Sequence, residues 1–418
     1  MFKVMHFPER RNYFLLFMDS VLFTNAMTFL SINTVITYFL NHLGASTFVI
    51  SFANALASIG TFITQPFFTR RATKLQHKRI PFAKTLFIQR FFLLAFVLTI
   101  PIGATRFPHV MIILFLVCWG IFNLFVGSYS PFYMSLFAKM VAKENRGRLR
   151  GFAGGTANLL ALLSVLLIGM VLKSVSYPYD YTLLFVIGAV LLLLDAYDFV
   201  LMREPADETK GPDINYWSYI RDVPRILRTN RLFARMVLGF TMLVIAQIAL
   251  VYYSLYAIRI FHAGNGAVAV FTGIAVLGNT LASVVFGVLA DRFSHRFVLE
   301  LGAIAGIFAA VWAVGEHSLW GVYVAFGLST TAMAAYNMSS SMLVIERTRH
   351  AEIPMHISIY ILVSLVVSSV LTLCSSYVVN RFSFSALFIA TGAASLFAWW
   401  IFHGLLKRDA RVDYSSLS

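Results

Sequence analysis

The feature that most restricts the fold is a series of twelve long apolar stretches separated by short polar segments. Each stretch holds roughly 20 residues or more, which as a helix crosses the ~30 Å hydrocarbon layer of a bilayer. Of the 418 residues, 59% are hydrophobic and only 12% are charged. Too little polar surface remains to cover a water-soluble globule. The sequence therefore predicts an all-α membrane protein with twelve transmembrane helices.

The basic residues give these helices a direction. The predicted spans are 12–41, 45–67, 83–103, 107–138, 151–172, 180–202, 232–259, 267–290, 297–315, 319–345, 355–379 and 383–406. With a cytoplasmic N-terminus, 28 of the 33 Lys and Arg residues flank the cytoplasmic ends, four flank the outer ends, and Arg90 alone lies within a span. This asymmetry follows the positive-inside rule. It predicts a multi-pass protein of the cytoplasmic membrane with both termini in the cytoplasm.

The net charge of +15 is thereby interpreted as a topology signal that also attracts anionic membrane lipids. A nucleic-acid partner is not expected. The only two cysteines, Cys118 and Cys374, lie within apolar stretches, so neither a disulfide framework nor a metal cluster is expected. No cofactor is expected. The sequence contains no glycine loop of the phosphate-binding type, so direct ATP hydrolysis is not expected either. The N-terminus also lacks the pattern of a cleavable signal.

The hydrophilic segment 203–231 divides the chain into two sets of six spans. We expect an N-terminal bundle over residues 1–202, a cytoplasmic linker over 203–231, and a C-terminal bundle over 232–418. Apolar and basic residues alternate in the second half of the linker, which favours a helix lying on the cytoplasmic surface. Two pseudo-symmetric six-helix bundles connected in this way are an architecture of secondary transporters.

A repeat relates the two halves. A shift of 218 residues aligns "FTRRATKLQHK" (68–78) with "FGVLADRFSHR" (286–296), and it also aligns Gly60 with Gly278. Both segments lie at the cytoplasmic end of the second span of their half. The second copy contains an aspartate where the first has Thr73.

The segment "GVLADRFSHR" resembles the signature loop of the major facilitator superfamily, and "DSVLFTNAMTFLSINTVITYFLNHLGAS" resembles the first helix of its bacterial members. The resemblance implies a monomeric transporter of small molecules that is not an enzyme. It also implies that this loop latches the cytoplasmic side of the protein. The latch would consist of four residues: Gly287, Asp291, Arg292 and Arg296. A solvated basic turn is the alternative interpretation.

In that family, helices 1, 4, 7 and 10 surround the solute path. Polar residues recur at helical spacing on these helices here, which is typical of a wall facing water. The candidate cavity residues are Thr24, Thr28, Ser31, Asn123, Gln247, Tyr253 and Asn337. Helix packing through small residues and interhelical hydrogen bonds is the alternative.

Ionisable residues within spans are costly and mark functional sites. Asp19 and Arg90 both lie ~10–12 Å from the cytoplasmic end of their helices, and Asp195 lies near the inner end of helix 6. Their similar depth is compatible with an Asp19–Arg90 ion pair, for which Asp195 could compete. Asp19 is the first candidate for a proton-coupling carboxylate. A fixed bridge that holds the N-terminal bundle together is the alternative.

The mostly neutral cavity predicts a neutral or amphipathic solute, moved by alternating access with coupling to protons as one option. A flippase of lipids or lipid-linked substrates with the same fold is an alternative. A polytopic membrane enzyme or receptor is another, but the histidines form no catalytic or metal-binding pattern.

Overall fold

A computed structural model of the chain describes residues 7–204, 216–315, 318–348 and 353–409. Within these ranges all the regular elements are helices. In chain order they are α1 (Phe7–Phe29), α2 (Val35–His42), α3 (Thr47–Lys74), α4 (Arg79–Arg106), α5 (Pro108–Val126), α6 (Tyr129–Met140), α7 (Lys143–Ser174), α8 (Tyr179–Leu201), α9 (Tyr216–Thr229), α10 (Arg231–Ala246), α11 (Ala249–Phe261), α12 (Gly266–Arg292), α13 (His295–Gly315), α14 (Leu319–Arg347), α15 (Ile353–Arg381) and α16 (Phe384–Asp409).

These helices account for all twelve predicted spans, so the predicted fold class is confirmed. Among the described residues, ten segments are long and apolar enough to cross a membrane, with α5–α6 and α10–α11 each counted as one. The other two spans are the pair α1–α2 and helix α14. Polar residues are spread through the apolar stretches of both.

Three predicted spans are interrupted near their middle. The first breaks after Phe29, the fourth at Gly127 and Ser128, and the seventh at Gln247 and Ile248. Interrupted membrane helices leave backbone groups available at mid-depth, and such backbone is tolerated only where it is buried in protein or lines a cavity. The sequence predicts the bounds of these three spans but not the breaks within them.

The chain forms two compact units. The first contains the residues up to Tyr216 together with Gly264–Val276, and the second contains Trp217–Ala263 and Leu277–Ser418. The first half of α12 thus belongs to the unit built mainly from the N-terminal helices, whereas the sequence-based division assigned all of it to the C-terminal bundle.

An aromatic core lies at one end of the first unit. Phe82 of α4 stacks on Phe132 of α6 with ring centroids 5.6 Å apart, and it meets Phe199 of α8 edge-on at 4.8 Å. All three rings are fully buried. Burial of each ring contributes a few kcal/mol, so this cluster fixes the relative positions of three helices.

Small residues bring the helices of the second unit close together. A methyl group added at Gly302 of α13 would lie 2.5 Å from Ala335 of α14, and one added at Gly392 of α16 would lie 2.6 Å from Ala310. Close approach through Gly and Ala is typical of helix packing in membranes, where dispersion contacts replace the hydrophobic effect as the driving force.

The repeat has a structural counterpart in one glycine of each unit. An added Cβ at Gly60 of α3 would lie 2.5 Å from the backbone of Asn123 in α5. Its counterpart Gly278 of α12 would meet Thr330 of α14 at 2.7 Å. The second and fourth helices of each half therefore pack closely at equivalent glycines.

Large apolar side chains cover the outside of the helices. Leu98, Leu159, Val284 and Trp400 are all more than 60% exposed. Soluble proteins rarely expose continuous apolar surface of this kind. The exposed apolar faces are those of helices solvated by lipid.

Candidate functional site

A buried ion pair joins α4 to α8 in the first unit. The Arg90 guanidinium bonds to Asp195 Oδ2, with side-chain exposures of 1% and 0%. The sequence predicted Asp19 as the first partner of Arg90 and Asp195 as a competitor. The structure selects Asp195, because α4 and α8 are neighbours and carry the two side chains toward each other.

Asp19 of α1 completes this cluster without pairing directly with Arg90. Its side chain is fully buried, and neither of its oxygens accepts a hydrogen bond from a donor. Asp195 nevertheless lies within reach of a carboxyl–carboxyl hydrogen bond. Two ionised carboxylates both only accept, so this bond forms when one of them carries a proton. The geometry is therefore suited to a shared proton.

Two further groups extend the cluster. Asp198 lies one turn along α8 from Asp195, is buried, and has one oxygen with no hydrogen-bond partner. Tyr133 of α6 faces Asp19. We call Asp19, Arg90, Asp195 and Asp198 the carboxylate cluster.

The carboxylate cluster holds more acid than base. When fully ionised it has three negative charges and one positive charge, all on buried side chains. Burying uncompensated charge is strongly unfavourable, so uptake of a proton or another cation would stabilise the cluster. Among the described residues no group of three or more His, Cys, Asp or Glu is arranged to hold a metal ion.

The predicted cavity residues of the first unit lie along two of the interrupted helices. The Thr28 hydroxyl donates to the carbonyl of Thr24 at 2.9 Å, and Thr28 is buried while Thr24 is half-buried. The carbonyl of Ser31 accepts from the backbone at the break between α1 and α2. The Asn123 side chain is buried and donates to the Trp119 carbonyl at 2.8 Å.

The predicted cavity residues of the second unit have three different environments. Gln247 caps the end of α10, and its Nε2 is a buried donor with no partner. Tyr253 is buried and stacks on Phe388 with centroids 4.7 Å apart. Asn337 is exposed on α14. Gln247 is thus the member of this set whose side chain leaves a buried donor unpaired among the described residues.

The proposed latch residues lie at the end of α12 and the start of α13. Asp291 and Arg292 are exposed, and neither makes a hydrogen bond or ion pair with a described residue. Arg296 is buried and lies 3.2 Å from Glu300. An added Cβ at Gly287 would approach Met338 to 3.3 Å, so α12 and α14 are close there.

The corresponding loop of the first half is held by a residue that the sequence did not single out. Glu204 accepts hydrogen bonds from the backbone nitrogens of Lys78 and Arg79 at 2.7 Å and from Lys139 Nζ at 2.8 Å. It occupies the N-terminus of α4, where the helix dipole favours an anion. Its position 126 residues after Lys78 left no local signal.

A second polar cluster, also missed, holds the start of α12 in the first unit. Asn265 Oδ1 lies 2.8 Å from His42 Nε2 and 3.1 Å from the Tyr181 hydroxyl. Asn265 Nδ2 donates to Asp180 at 3.3 Å. About two turns beyond Asn265, Thr272 of α12 donates to Thr34 at 2.9 Å. We call His42, Asp180, Tyr181 and Asn265 the Asn265 cluster.

Comparison with known proteins agrees with this architecture. The sequence profile of the Major Facilitator Superfamily matches residues 18–275 and 236–416. No curated protein sequence matches the chain significantly.

Several solved transporters share the fold at low sequence identity. The nucleoside transporter NupG has a TM-score of 0.69 at 13% identity, over 95% of this chain and 99% of that one. A bacterial homologue of the iron transporter ferroportin in an inward-facing state has a TM-score of 0.69 at 16% identity, over 94% and 98%. The E. coli fucose:proton symporter FucP has a TM-score of 0.64 at 16% identity, over 95% and 99%. The predicted resemblance is therefore confirmed, and the chain belongs to the Major Facilitator Superfamily of membrane transporters.

Proposed function

We propose that the protein is a proton-coupled secondary transporter that moves a small, neutral or amphipathic solute across the cytoplasmic membrane by alternating access. The observation that carries this proposal is the carboxylate cluster. Its excess of carboxylates over guanidinium, in full burial, is relieved by a proton shared between Asp19 and Asp195. Protonation at such a site changes charge inside the protein and can bias a conformational equilibrium.

Each member of the cluster has a separate role in this proposal. Arg90 bonds to Asp195 and holds it in place, and Asp19 takes up and releases the proton. Asp198 adds negative charge that favours proton uptake. Tyr133 faces Asp19 and can donate a hydrogen bond to its ionised form.

The solute is assigned to neutral or amphipathic compounds because the candidate cavity residues have no charge. Gln247 offers a buried, unused N–H donor at the break between α10 and α11. A donor of this kind is satisfied by a hydroxyl or carbonyl oxygen of a solute. Leaving it unpaired is unfavourable, so solute binding would gain by filling it.

The proposal includes a cytoplasmic orientation of both termini, which is supported by the distribution of Lys and Arg. It also includes a cytoplasmic latch that consists of Gly287, Asp291, Arg292 and Arg296. Asp291 and Arg292 are exposed and pair with no described residue, so both groups are available for a partner in another state of the cycle. We further propose that one chain transports as a monomer.

Transport by purified protein in liposomes tests the proposal. A panel of neutral solutes, with a labelled lipid as a separate arm, is measured with and without a pH gradient. We expect at least one solute to accumulate only when the gradient is present. Accumulation that is equal with and without the gradient would contradict proton coupling, and movement of the labelled lipid alone would assign a flippase instead.

The Asp19→Asn variant separates coupling from transport itself. It should lose gradient-driven accumulation but retain exchange of labelled for unlabelled solute, because exchange requires no net proton movement. Glu346→Gln is the matched control, since Glu346 is an exposed carboxylate at the end of α14. Gradient-driven accumulation by Asp19→Asn at the wild-type rate would remove Asp19 from the coupling role.

A further inference from the structure

The linker helix α9 has two opposite faces with different environments. Val223, Ile226 and Leu227 pack against the apolar core of the second unit, in which Phe233 and Phe240 are buried. Their spacing of three and four residues places them on one side of the helix. The apolar face of α9 is therefore covered by protein.

The other face of α9 is basic and open. Arg221, Arg225 and Arg228 are exposed, and their spacing of four and three residues places them on one line, opposite the buried face. Arg231 and Arg235 follow at the start of α10 and are also exposed. We call these five residues the arginine surface.

The arginine surface has no internal counterions in the described part of the chain. None of its five guanidinium groups makes a hydrogen bond or ion pair with a described residue. By contrast, Arg11, Arg79 and Arg146 donate to backbone carbonyls, and Arg90 pairs with Asp195. All five members of the arginine surface thus lack a partner among the described residues, as the exposed Arg292 also does.

The position of the surface indicates its partner. The apolar span Arg231–Phe261 begins where the arginine surface ends, and Leu232 and Leu238 expose apolar side chains next to Arg231 and Arg235. Guanidinium groups above exposed leucines match the boundary of a bilayer, where phosphate groups lie directly above the hydrocarbon. A guanidinium can bind a phosphate through two parallel hydrogen bonds.

We propose that the arginine surface binds the phosphodiester headgroups of anionic phospholipids in the membrane leaflet at this end of the helices. Charge complementarity and the adjoining exposed leucines together favour a lipid over a soluble anion. Bound headgroups would hold α9, and with it the start of α10, at the membrane surface. The inference is independent of proton coupling and of the identity of the solute.

Native mass spectrometry of the purified protein tests this inference. The affinity of the protein for phosphatidylglycerol is compared with its affinity for phosphatidylcholine that has the same acyl chains. Inorganic phosphate is added as a competitor to represent a soluble anion. The variant Arg221→Gln/Arg225→Gln/Arg228→Gln removes charge from α9 while its buried face stays intact. Each arginine near an anionic surface contributes about a fivefold factor in affinity, so we expect at least about a tenfold weaker affinity for phosphatidylglycerol.

The control variant removes the same charge from other exposed helix ends. Arg106, Lys173 and Arg381 are all exposed and flank the opposite ends of their spans. Their simultaneous replacement by glutamine should leave phosphatidylglycerol binding within about twofold of wild type. Equal binding of the two lipids by the wild-type protein, equal losses in both variants, or full competition by inorganic phosphate would each overturn the proposal.

Discussion

Glu204 Oε2 lies 2.7 Å from the backbone nitrogen of Arg79, at the first turn of α4. The same carboxylate also bonds the backbone nitrogen of Lys78 and the Lys139 ammonium. A residue at the start of the linker thus holds the loop that carries the first-half copy of the repeated segment. That loop lacks the aspartate of its counterpart, and Glu204 supplies a carboxylate from elsewhere in the chain.

Replacement of Glu204 by glutamine should destabilise the first unit. The amide keeps one acceptor, but it loses the charge that interacts with the helix dipole and with Lys139. We expect a loss of about 1–2 kcal/mol, measured as a lower midpoint of thermal unfolding in detergent. Glu346→Gln is the control, because Glu346 is an exposed carboxylate that lies 3.8 Å from His295. It should change the midpoint of thermal unfolding little. An equal effect of both substitutions would show that Glu204 does not act as a cap.

The Arg90–Asp195 pair should show strong coupling in a double-mutant cycle. Asp195→Ala alone removes the carboxylate that bonds to the buried Arg90 guanidinium, at a loss of about 3–5 kcal/mol. The double variant Arg90→Leu/Asp195→Ala should lose less than the sum of the two single variants, because each single substitution already breaks the same pair. The free energy of unfolding in mixed detergent and SDS micelles gives the comparison. Additive losses from Arg90→Leu and Asp195→Ala would contradict the pairing seen here.

Alanine at the two equivalent glycines should have unequal effects. In Gly60→Ala the new methyl would meet the Asn123 backbone at 2.5 Å, so α3 and α5 must separate, at a loss of about 1–3 kcal/mol. In Gly278→Ala it would meet the hydroxyl of Thr330 at 2.7 Å. A side-chain oxygen moves more readily than backbone, so a smaller loss is expected.

Gly120→Ala is the control for this comparison. Its added methyl would lie 3.8 Å from Leu56, an ordinary contact distance. Thermal midpoints should therefore fall in the order Gly120→Ala, Gly278→Ala, Gly60→Ala, from highest to lowest. A Gly60→Ala protein as stable as Gly120→Ala would show that α3 and α5 are less closely packed than described.

The Asn265 cluster should restrain the first half of α12. Asn265→Ala removes the hydrogen bonds to His42, Tyr181 and Asp180. A net loss of one or two hydrogen bonds, at about 1 kcal/mol each, should make local opening of the first half of α12 roughly tenfold more frequent. A cysteine placed at the buried Thr272 should then react roughly tenfold faster with a thiol reagent. Cys118→Ser/Cys374→Ser serves as the background for these measurements.

Asn41→Ala provides a residue-matched control for that measurement. Asn41 lies one residue before His42, and its amide makes no side-chain hydrogen bond in the described part of the chain. Its replacement should leave the labelling rate of Thr272→Cys unchanged. Equal rates in the Asn265→Ala and Asn41→Ala backgrounds would show that the cluster does not restrain α12.

The twelve-helix fold could be predicted because membrane solvation imposes a long, continuous apolar signal on each helix. The three interruptions could not, since the apolar runs continue through Gly127 and through Gln247–Ile248. A break in an apolar run depends on tertiary packing that supplies new partners for the freed backbone groups.

The site was predicted only in part, for a geometric reason. Depth along a helix follows from residue number, so the sequence places Asp19 and Arg90 at a similar depth in the membrane and Asp195 near the inner end of its helix. The direction in which each side chain points around the bundle does not follow from depth, and it decides that Arg90 pairs with Asp195. Asn265 meets His42 across 223 residues, and no local pattern marks such a contact.

The fixed guanidinium of Arg90 has an electrical consequence for the proposed cycle. Arg90 balances one carboxylate with a charge that belongs to the protein, so in the proposed cycle the charge carried across the membrane is the proton itself. A proton that reaches Asp19 from one side and leaves toward the other crosses the full transmembrane voltage, and each 100 mV then adds about 2.3 kcal/mol to the driving force. Uptake of a neutral solute would therefore carry current, and a potassium diffusion potential alone, at equal pH on both sides, would suffice to power it.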